Sequence, residues 1–109
     1  MSDLTQKHCV PCEGGMKPFN NEQVGEYLKQ VPGWILSEDG KSVSQKFKFK
    51  NFAEALAFVN KVGEIAEAEG HHPDIEFGWG YAEIESMTHA IKGLSENDFI
   101  LAAKINQIK

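Results

Sequence analysis

Three of the four histidines, His71, His72 and His89, fall in the C-terminal half of the chain. The first two follow a predicted helix and the third follows a predicted strand, and a rigid scaffold commonly presents functional groups at such ends. Because an imidazole both gives and takes a proton near neutral pH, the cluster is a candidate for general acid–base chemistry. The alternative is a set of surface histidines, since the helix dipole alone favours histidine at a helix C-terminus.

A metal site is the second chemical hypothesis for the same residues. Glu67 and His71 stand four residues apart on one predicted helix face, and His89 would complete a set of two histidines and one carboxylate. Neighbouring side chains such as His71 and His72 diverge by about 100° on a helix, so they suit two walls of a cleft better than one ion. We therefore predict no metal, and a metal-dependent enzyme stays open as an alternative.

A single CxxC motif, Cys9 to Cys12, is a further candidate for metal or redox chemistry. Without a second pair of cysteines it is a weak signal. It lies in residues 1–19, which lack helical or strand periodicity and are predicted to form an extended arm. We expect these cysteines to be reduced and the arm to be structurally dispensable.

Charge and composition exclude several classes of partner. The chain has 109 residues, with 16 acidic and 11 basic side chains and a formal net charge of −5, and every basic residue is a lysine. An acidic chain without guanidinium groups is a poor candidate for nucleic-acid binding. No apolar run approaches the ~20 residues that span a bilayer, and no secretory leader is visible. We expect a small cytoplasmic protein without a membrane partner, whose modest core favours a homo-oligomer.

Capping signals place three helices in residues 20–109, which we predict to be a single domain. The first helix is predicted from an Asn20 cap to Pro32-Gly33. The second is predicted from an Asn51 cap to about Glu69, where Gly70 ends it. The third begins at Ser95, with Asp98 three residues later as the other half of a capping pair. The predicted buried stripe of the second helix consists of Phe52, Ala55, Leu56, Val59, Val62 and Ala66.

Two pairs of strands are predicted between these helices. Residues 34–36 and 43–49 flank the turn signal Asp39-Gly40, and residues 75–79 and 82–86 flank Gly80. Lysines alternate with apolar residues in the second strand, which indicates a sheet with one wet face. The order α-β-β-α-β-β-α predicts an α+β fold, a four-stranded antiparallel sheet with three helices packed on one face.

The chain resembles a known family along this stretch. The spacing Glu67-x3-His71-His72-Pro73-x5-Trp79-x9-His89-x8-Asp98 matches the signature of the pterin-4a-carbinolamine dehydratases, also called 4a-hydroxytetrahydrobiopterin dehydratases. Further matching blocks are Gly33-Trp34, Phe47-x-Phe49-x-Asn51-Phe52, Thr88-His89 and Gly93-Leu94-Ser95. The resemblance covers the chain from about Asn20 to the C-terminus and leaves the arm outside.

The resemblance implies an activity. Members of this family dehydrate 4a-hydroxytetrahydrobiopterin to quinonoid dihydropterin and water, recycling the cofactor of aromatic amino-acid hydroxylases. They share an α+β fold and assemble as dimers or tetramers, and the pterin is the substrate, so neither a further cofactor nor a metal is implied. Alternatives from the same family are a non-catalytic dimerisation cofactor for a transcription factor and a role in molybdopterin metabolism.

The resemblance also implies roles for individual residues. The catalytic set is His71, His72 and His89, of which His71 and His89 would transfer protons and His72 would mainly hold the substrate. The implied substrate-binding residues are Trp34, which would cover the pterin ring, and Glu67, Thr88 and Asp98.

Overall fold

Side-chain caps and one glycine set the ends of the helices in the structure, a computed structural model that describes residues 4–10 and 17–108. The helices are α1 (Asn21–Leu28), α2 (Phe52–Glu69) and α3 (Glu96–Asn106). Asn20 accepts a hydrogen bond from the Gln23 amide at 2.8 Å, and Asn51 accepts one from the Glu54 amide at 2.9 Å. Gly70 ends α2 in the left-handed conformation, with a φ of 66°, which costs a residue without a Cβ very little. These predicted caps are confirmed.

Helix α1 is shorter than predicted, because it ends at Leu28 and not at Pro32-Gly33. The Gln30 amide donates to the Tyr27 carbonyl and the Val31 amide to the Leu28 carbonyl, so the chain tightens into three-residue turns. A residue before proline is pushed out of the α region, which accounts for the early end of the helix. Val31 is nevertheless fully buried beyond that end.

Four strands form the predicted antiparallel sheet. They are β1 (Ile35–Leu36), β2 (Val43–Lys48), β3 (Asp74–Gly78) and β4 (Tyr81–Ser86), in the spatial order β1-β2-β4-β3. Strands β2 and β4 pair from Val43↔Ser86 to Lys48↔Tyr81. The predicted α+β class and the order of its elements are confirmed.

The register sorts side chains onto two faces of the sheet. Val43, Ala82 and Ile84 are fully buried on the face that belongs to the core. On the other face Lys46 lies opposite Glu83, with its ammonium 5.1 Å from the centre of the Tyr81 ring. This is the wet face that the alternating lysines predicted.

Helix α3 is the centre of the core. Its residues 99–102 expose no more than 1% of their surface, because α1, α2 and β4 all contact this helix. The described start of the predicted arm packs here too: Leu4, in a short 3-10 turn over Leu4–Gln6, is 3% exposed and belongs to the core. Residues 4–10 therefore lie against the domain, and the dispensability of the arm stays a prediction. Cys12 lies outside the described residues.

The buried face of α2 differs in part from the predicted stripe. Ala55, Val62 and Ala66 are buried as predicted, but Phe52 and Leu56 are 46% and 39% exposed. Phe58, absent from the prediction, is buried instead, and its ring centre lies 4.6 Å from that of Phe47 and 5.1 Å from that of Phe49. Packing against the aromatic residues at the end of β2 and just after it thus places Phe58 on the buried face of the helix. None of the described helices is long and apolar enough to cross a membrane.

Candidate active site

His71 is held at the end of α2 by a buried carboxylate of α3. Its backbone amide bonds to the Ala66 carbonyl across the Gly70 cap, which fixes where the side chain leaves the helix. Its Nε2 lies 2.7 Å from Oδ1 of Asp98, with the histidine side chain 11% exposed and the aspartate side chain fully buried. The second and third helices thus meet at a charge-assisted contact at the edge of the core.

Asp98 accepts hydrogen bonds from three further donors. The Ser86 hydroxyl donates to Oδ1 at 2.6 Å, and the Thr88 hydroxyl and the Ser95 amide donate to Oδ2 at 2.8 and 3.0 Å. Because the carboxylate already acts as an acceptor for all three, its contact with His71 is best described with Nε2–H donating. In that tautomer Nδ1 of His71 carries no hydrogen and is left as an acceptor.

His89 is presented by a turn that is tied to the same carboxylate. The turn, His89–Ile91, follows Thr88, whose hydroxyl donates to Asp98. Thr88 and Gly93 form an isolated antiparallel bridge, and Lys92 adopts a left-handed conformation with a φ of 54° that closes the turn. The position of His89 therefore depends on Asp98 through its neighbour.

His72 is in a wetter environment than His71. Its Nε2 lies 2.9 Å from Oε1 of Glu67, and the two side chains are 60% and 81% exposed. Exposed ion pairs of this kind contribute little to stability. Glu67 is placed to orient the His72 ring.

All three histidines line one cleft of about 270 Å³. Its walls are formed by Val10, Gly70, His71, His72, Met87, Thr88, His89, Ala90 and Asn97. The volume lies near the lower end of the range for small-molecule sites, ~300 Å³ upward. The cleft therefore suits one small ligand beside three imidazoles.

The other predicted site residues are placed at different distances from this cleft. Thr88 lines it, Asp98 lies beneath it as the partner of His71, and Glu67 reaches it through His72. Trp34 does not line it: the side chain is buried in the core, where its Nε1 donates to Oδ1 of Asn106 at 2.9 Å. Trp34 therefore lies apart from the histidines, and its role in covering the pterin ring stays a prediction.

Several residues of the cleft were not predicted from the sequence. Val10 and Asn97 carried no signal, because both reach the cleft through tertiary contacts of the arm. Ser86 could have been found: it follows Ala82 and Ile84 on the buried face of β4, where a hydroxyl requires a partner. That partner is Asp98.

Glu67, His71 and His89, the alternative metal set, have other partners or positions in the structure. Across residues 4–10 and 17–108, no three or more His, Cys, Asp or Glu side chains are grouped so as to hold a metal ion. Glu67 instead contacts His72, and His71 contacts Asp98.

The chain is similar to one protein family and to named bacterial relatives. Residues 17–108 match the family described as "Pterin 4 alpha carbinolamine dehydratase". Two relatives carry the name "Putative pterin-4-alpha-carbinolamine dehydratase". One, from Halorhodospira halophila, is 55% identical over 96% of this chain and 96% of its own length. The other, from Methylococcus capsulatus, is 51% identical over 96% of this chain and 92% of its own length.

Two solved structures share the fold. A transcriptional coactivator/pterin dehydratase from Brucella melitensis superposes with a TM-score of 0.78 at 27% identity, covering 83% of this chain and 96% of its own. A pterin dehydratase-like protein described as a RuBisCO assembly factor in the alpha-carboxysome gives a TM-score of 0.59 at 25% identity, covering 68% and 86%.

Proposed function

The chain belongs to the pterin 4 alpha carbinolamine dehydratase family, and we therefore propose that it dehydrates a 4a-hydroxytetrahydropterin to quinonoid dihydropterin and water. The observation that carries this proposal is the convergence of His71, His72 and His89 on one cleft, with His71 anchored by buried Asp98. The direct test is whether the purified protein accelerates loss of the 4a-hydroxy compound.

The reaction consists of two proton transfers. The 4a-hydroxyl group leaves as water and so needs a proton, while N5 of the pterin must lose one, so the site needs an acid and a base. No electrons are transferred to or from the protein. Neutral and protonated imidazoles suit both steps near neutral pH.

Asp98 supports assignment of the base to His71. When Nδ1 of His71 takes the N5 proton, the imidazolium that forms is stabilised by the carboxylate 2.7 Å from its Nε2. His89, on the exposed turn across the cleft, then supplies the proton to the leaving hydroxyl group. Exchange with solvent restores both residues, so one turnover leaves the protein unchanged.

His72 and Thr88 are assigned to holding the substrate. His72 is oriented by Glu67 at the rim, and an exposed imidazole there suits a hydrogen bond to the polar edge of a pterin. Thr88 forms part of the wall, while its hydroxyl is bonded to Asp98 and to Ser95. Within the pathway, an aromatic amino-acid hydroxylase is the class of enzyme that would supply such a substrate.

Binding without catalysis is the second candidate function. The Brucella structure is described both as a transcriptional coactivator and as a pterin dehydratase, and this description favours a role as a transcriptional cofactor as the alternative. The three histidines around one cleft favour catalysis, because a purely structural partner has no need of them.

Chelation is expected to leave dehydratase activity unchanged. The proposed steps use only imidazoles, so exhaustive treatment with EDTA should change kcat/KM by less than about twofold. The measurement is the dehydration rate before and after treatment, with elemental analysis of the same sample. Activity that disappears with the chelator and returns with one divalent ion would instead support a metal-dependent enzyme.

A homodimer or homotetramer is expected at micromolar concentration. Phe52, Leu56, Ile75 and Trp79 are large apolar side chains that are 36% to 73% exposed, and exposed apolar surface of this kind favours contact with a second copy. Light scattering across the micromolar range should give two or four times the chain mass, and Leu56→Asp should lower it. A monomer mass throughout would contradict this expectation.

A further inference from the structure

The first described segment, residues 4–10, is fixed to the domain along its whole length. Leu4 is buried in the core at one end. Lys7 forms an ion pair with Glu96, its Nζ 2.7 Å from Oε2. At the other end, the backbone of Cys9 and Val10 is held by side chains of α2 and α3. This segment precedes the stretch that matches the family model, so the family model does not account for these contacts.

Glu69 is the first of two clamps. Its side chain is only 6% exposed, and Oε1 accepts the Cys9 amide at 2.7 Å while Oε2 accepts the Lys104 ammonium at 2.8 Å. Nδ1 of His8 lies 3.1 Å from the same Oε2. Burial raises the pKa of Glu69, but the bonds from Lys104, Cys9 and His8 outweigh it and hold the pKa at about 2. The clamp is therefore complete above about pH 4.5 and is lost only as the pH falls toward 2.

Asn97 is the second clamp. Its Oδ1 accepts the Val10 amide at 3.0 Å, and its Nδ2 donates to the Val10 carbonyl at 2.6 Å. One buried side chain thus satisfies both backbone groups of Val10, as a neighbouring β-strand would. Asn97 is adjacent in sequence to Asp98, and Glu69 is two residues before His71. The two clamping side chains therefore belong to the same stretches of backbone as His71 and Asp98.

The clamped backbone presents the Val10 side chain to the cleft. Val10 is 60% exposed and lines the cleft together with the histidines. Apart from Val10, the apolar side chains of the lining are Met87 and Ala90, which lie in the segment between β4 and α3. A planar ligand among the histidines would bury the Val10 methyl groups against one of its faces, and burial of apolar surface favours binding.

We propose that residues 4–10 hold Val10 as one wall of the substrate cleft, that Val10 is a substrate-binding residue, and that Glu69 and Asn97 are its positioning residues. The proposal rests on the proposed function and names the part of the protein that holds the apolar face of the pterin. Val10 takes no part in proton transfer. It contributes to ground state and transition state alike and therefore acts on KM.

Substitution of Val10 tests the contact itself. Val10→Ala removes part of a surface that the ligand would bury and should raise KM about threefold to tenfold with kcat unchanged. Val10→Asp should raise KM further. Ile35→Ala is the matched control, because Ile35 is 66% exposed and outside the cleft, and it should change neither constant. Binding of 7,8-dihydrobiopterin by equilibrium dialysis should weaken in parallel with KM.

Substitution of Glu69 tests the clamp. Glu69→Ala should speed hydrogen exchange at the Cys9 and Val10 amides, speed tryptic cleavage after Lys7, and raise KM as Val10→Ala does. Glu69→Gln keeps an acceptor for the Cys9 amide, so its exchange rate, its cleavage rate and its KM should lie between those of wild type and Glu69→Ala. A general loss of stability would not produce this order. Glu64→Ala, at an exposed glutamate of the same helix, is the control and should match wild type.

The outcomes separate this proposal from the proposed function. If wild type binds and converts the pterin while the Val10 variants keep wild-type KM and affinity, the wall is wrong and the dehydratase assignment stands. If wild type neither binds nor converts a pterin, the proposed function fails and the wall fails with it. Slow exchange at the Cys9 and Val10 amides of wild type, faster exchange in Glu69→Ala, and a raised KM in both sets of variants would support the wall.

Discussion

Replacing His71 or His89 with alanine is expected to lower kcat for dehydration about 10²-fold. A general acid or base contributes ~10²–10⁴-fold, and the lower end is expected because the uncatalysed dehydration is a comparatively easy reaction. The His71→Ala variant lacks the base whose protonated form Asp98 stabilises. The His89→Ala variant lacks the acid on the opposite turn. Steady-state rates on freshly prepared 4a-hydroxytetrahydropterin provide the measurement.

His72→Ala is the matched variant, since it removes an imidazole from the same cleft. Its ring is 60% exposed and bonded to Glu67, so its loss should raise KM and leave kcat nearly unchanged. Circular dichroism of each variant checks that the fold is intact. If kcat and KM of all three variants stay close to the wild-type values, the histidine cluster is not the active site. A collapse of kcat in His72→Ala alone would keep the site and reverse the roles.

Asp98→Ala is expected to lower the free energy of unfolding by about 3–5 kcal/mol, the loss typical of breaking a buried charged contact. The carboxylate is fully buried and accepts from His71, Ser86, Thr88 and Ser95, so its removal leaves several buried donors unsatisfied. Urea unfolding at neutral pH measures the change.

Asp74→Ala is the control for that experiment. Asp74 is an exposed aspartate at the start of β3, opposite Glu85, so removing it should change stability by no more than about 0.5 kcal/mol. An Asp98→Ala protein that unfolds at the wild-type urea concentration would contradict the hydrogen-bond network described for the site. In Asp98→Asn, which keeps the size of the side chain, kcat should fall because the His71 imidazolium loses its counter-charge.

Local signals in the sequence predicted most of the scaffold. Asn20, Asn51 and Gly70 act within one turn of the backbone, so their effects are readable without tertiary information. Asp98 illustrates how two signals coincide: the capping pair and the family motif both pointed to it. In the structure Oδ2 accepts the Ser95 amide while Oδ1 meets His71, so one carboxylate serves the helix and the site.

The residues whose surroundings the sequence did not predict depend on contacts distant in sequence. Trp34 matched a family block, but its environment is set by Asn106, 72 residues away, and by the Phe47 ring. Phe52 and Phe58 both fit an apolar pattern on α2, and only packing against β2 selects Phe58 for burial. Leu4 and Val10 gave no periodic signal at all, because residues 4–10 are positioned by side chains of α2 and α3.

The measurement that tests the central claim most directly is the decay of freshly generated 4a-hydroxytetrahydropterin, followed by ultraviolet absorbance with and without the protein. We predict that catalytic amounts of wild type accelerate formation of quinonoid dihydropterin in proportion to protein concentration, and that a His71→Ala/His89→Ala double variant does not. A decay rate equal to the buffer control at every concentration of folded wild type would contradict the assignment of this cleft to pterin dehydration.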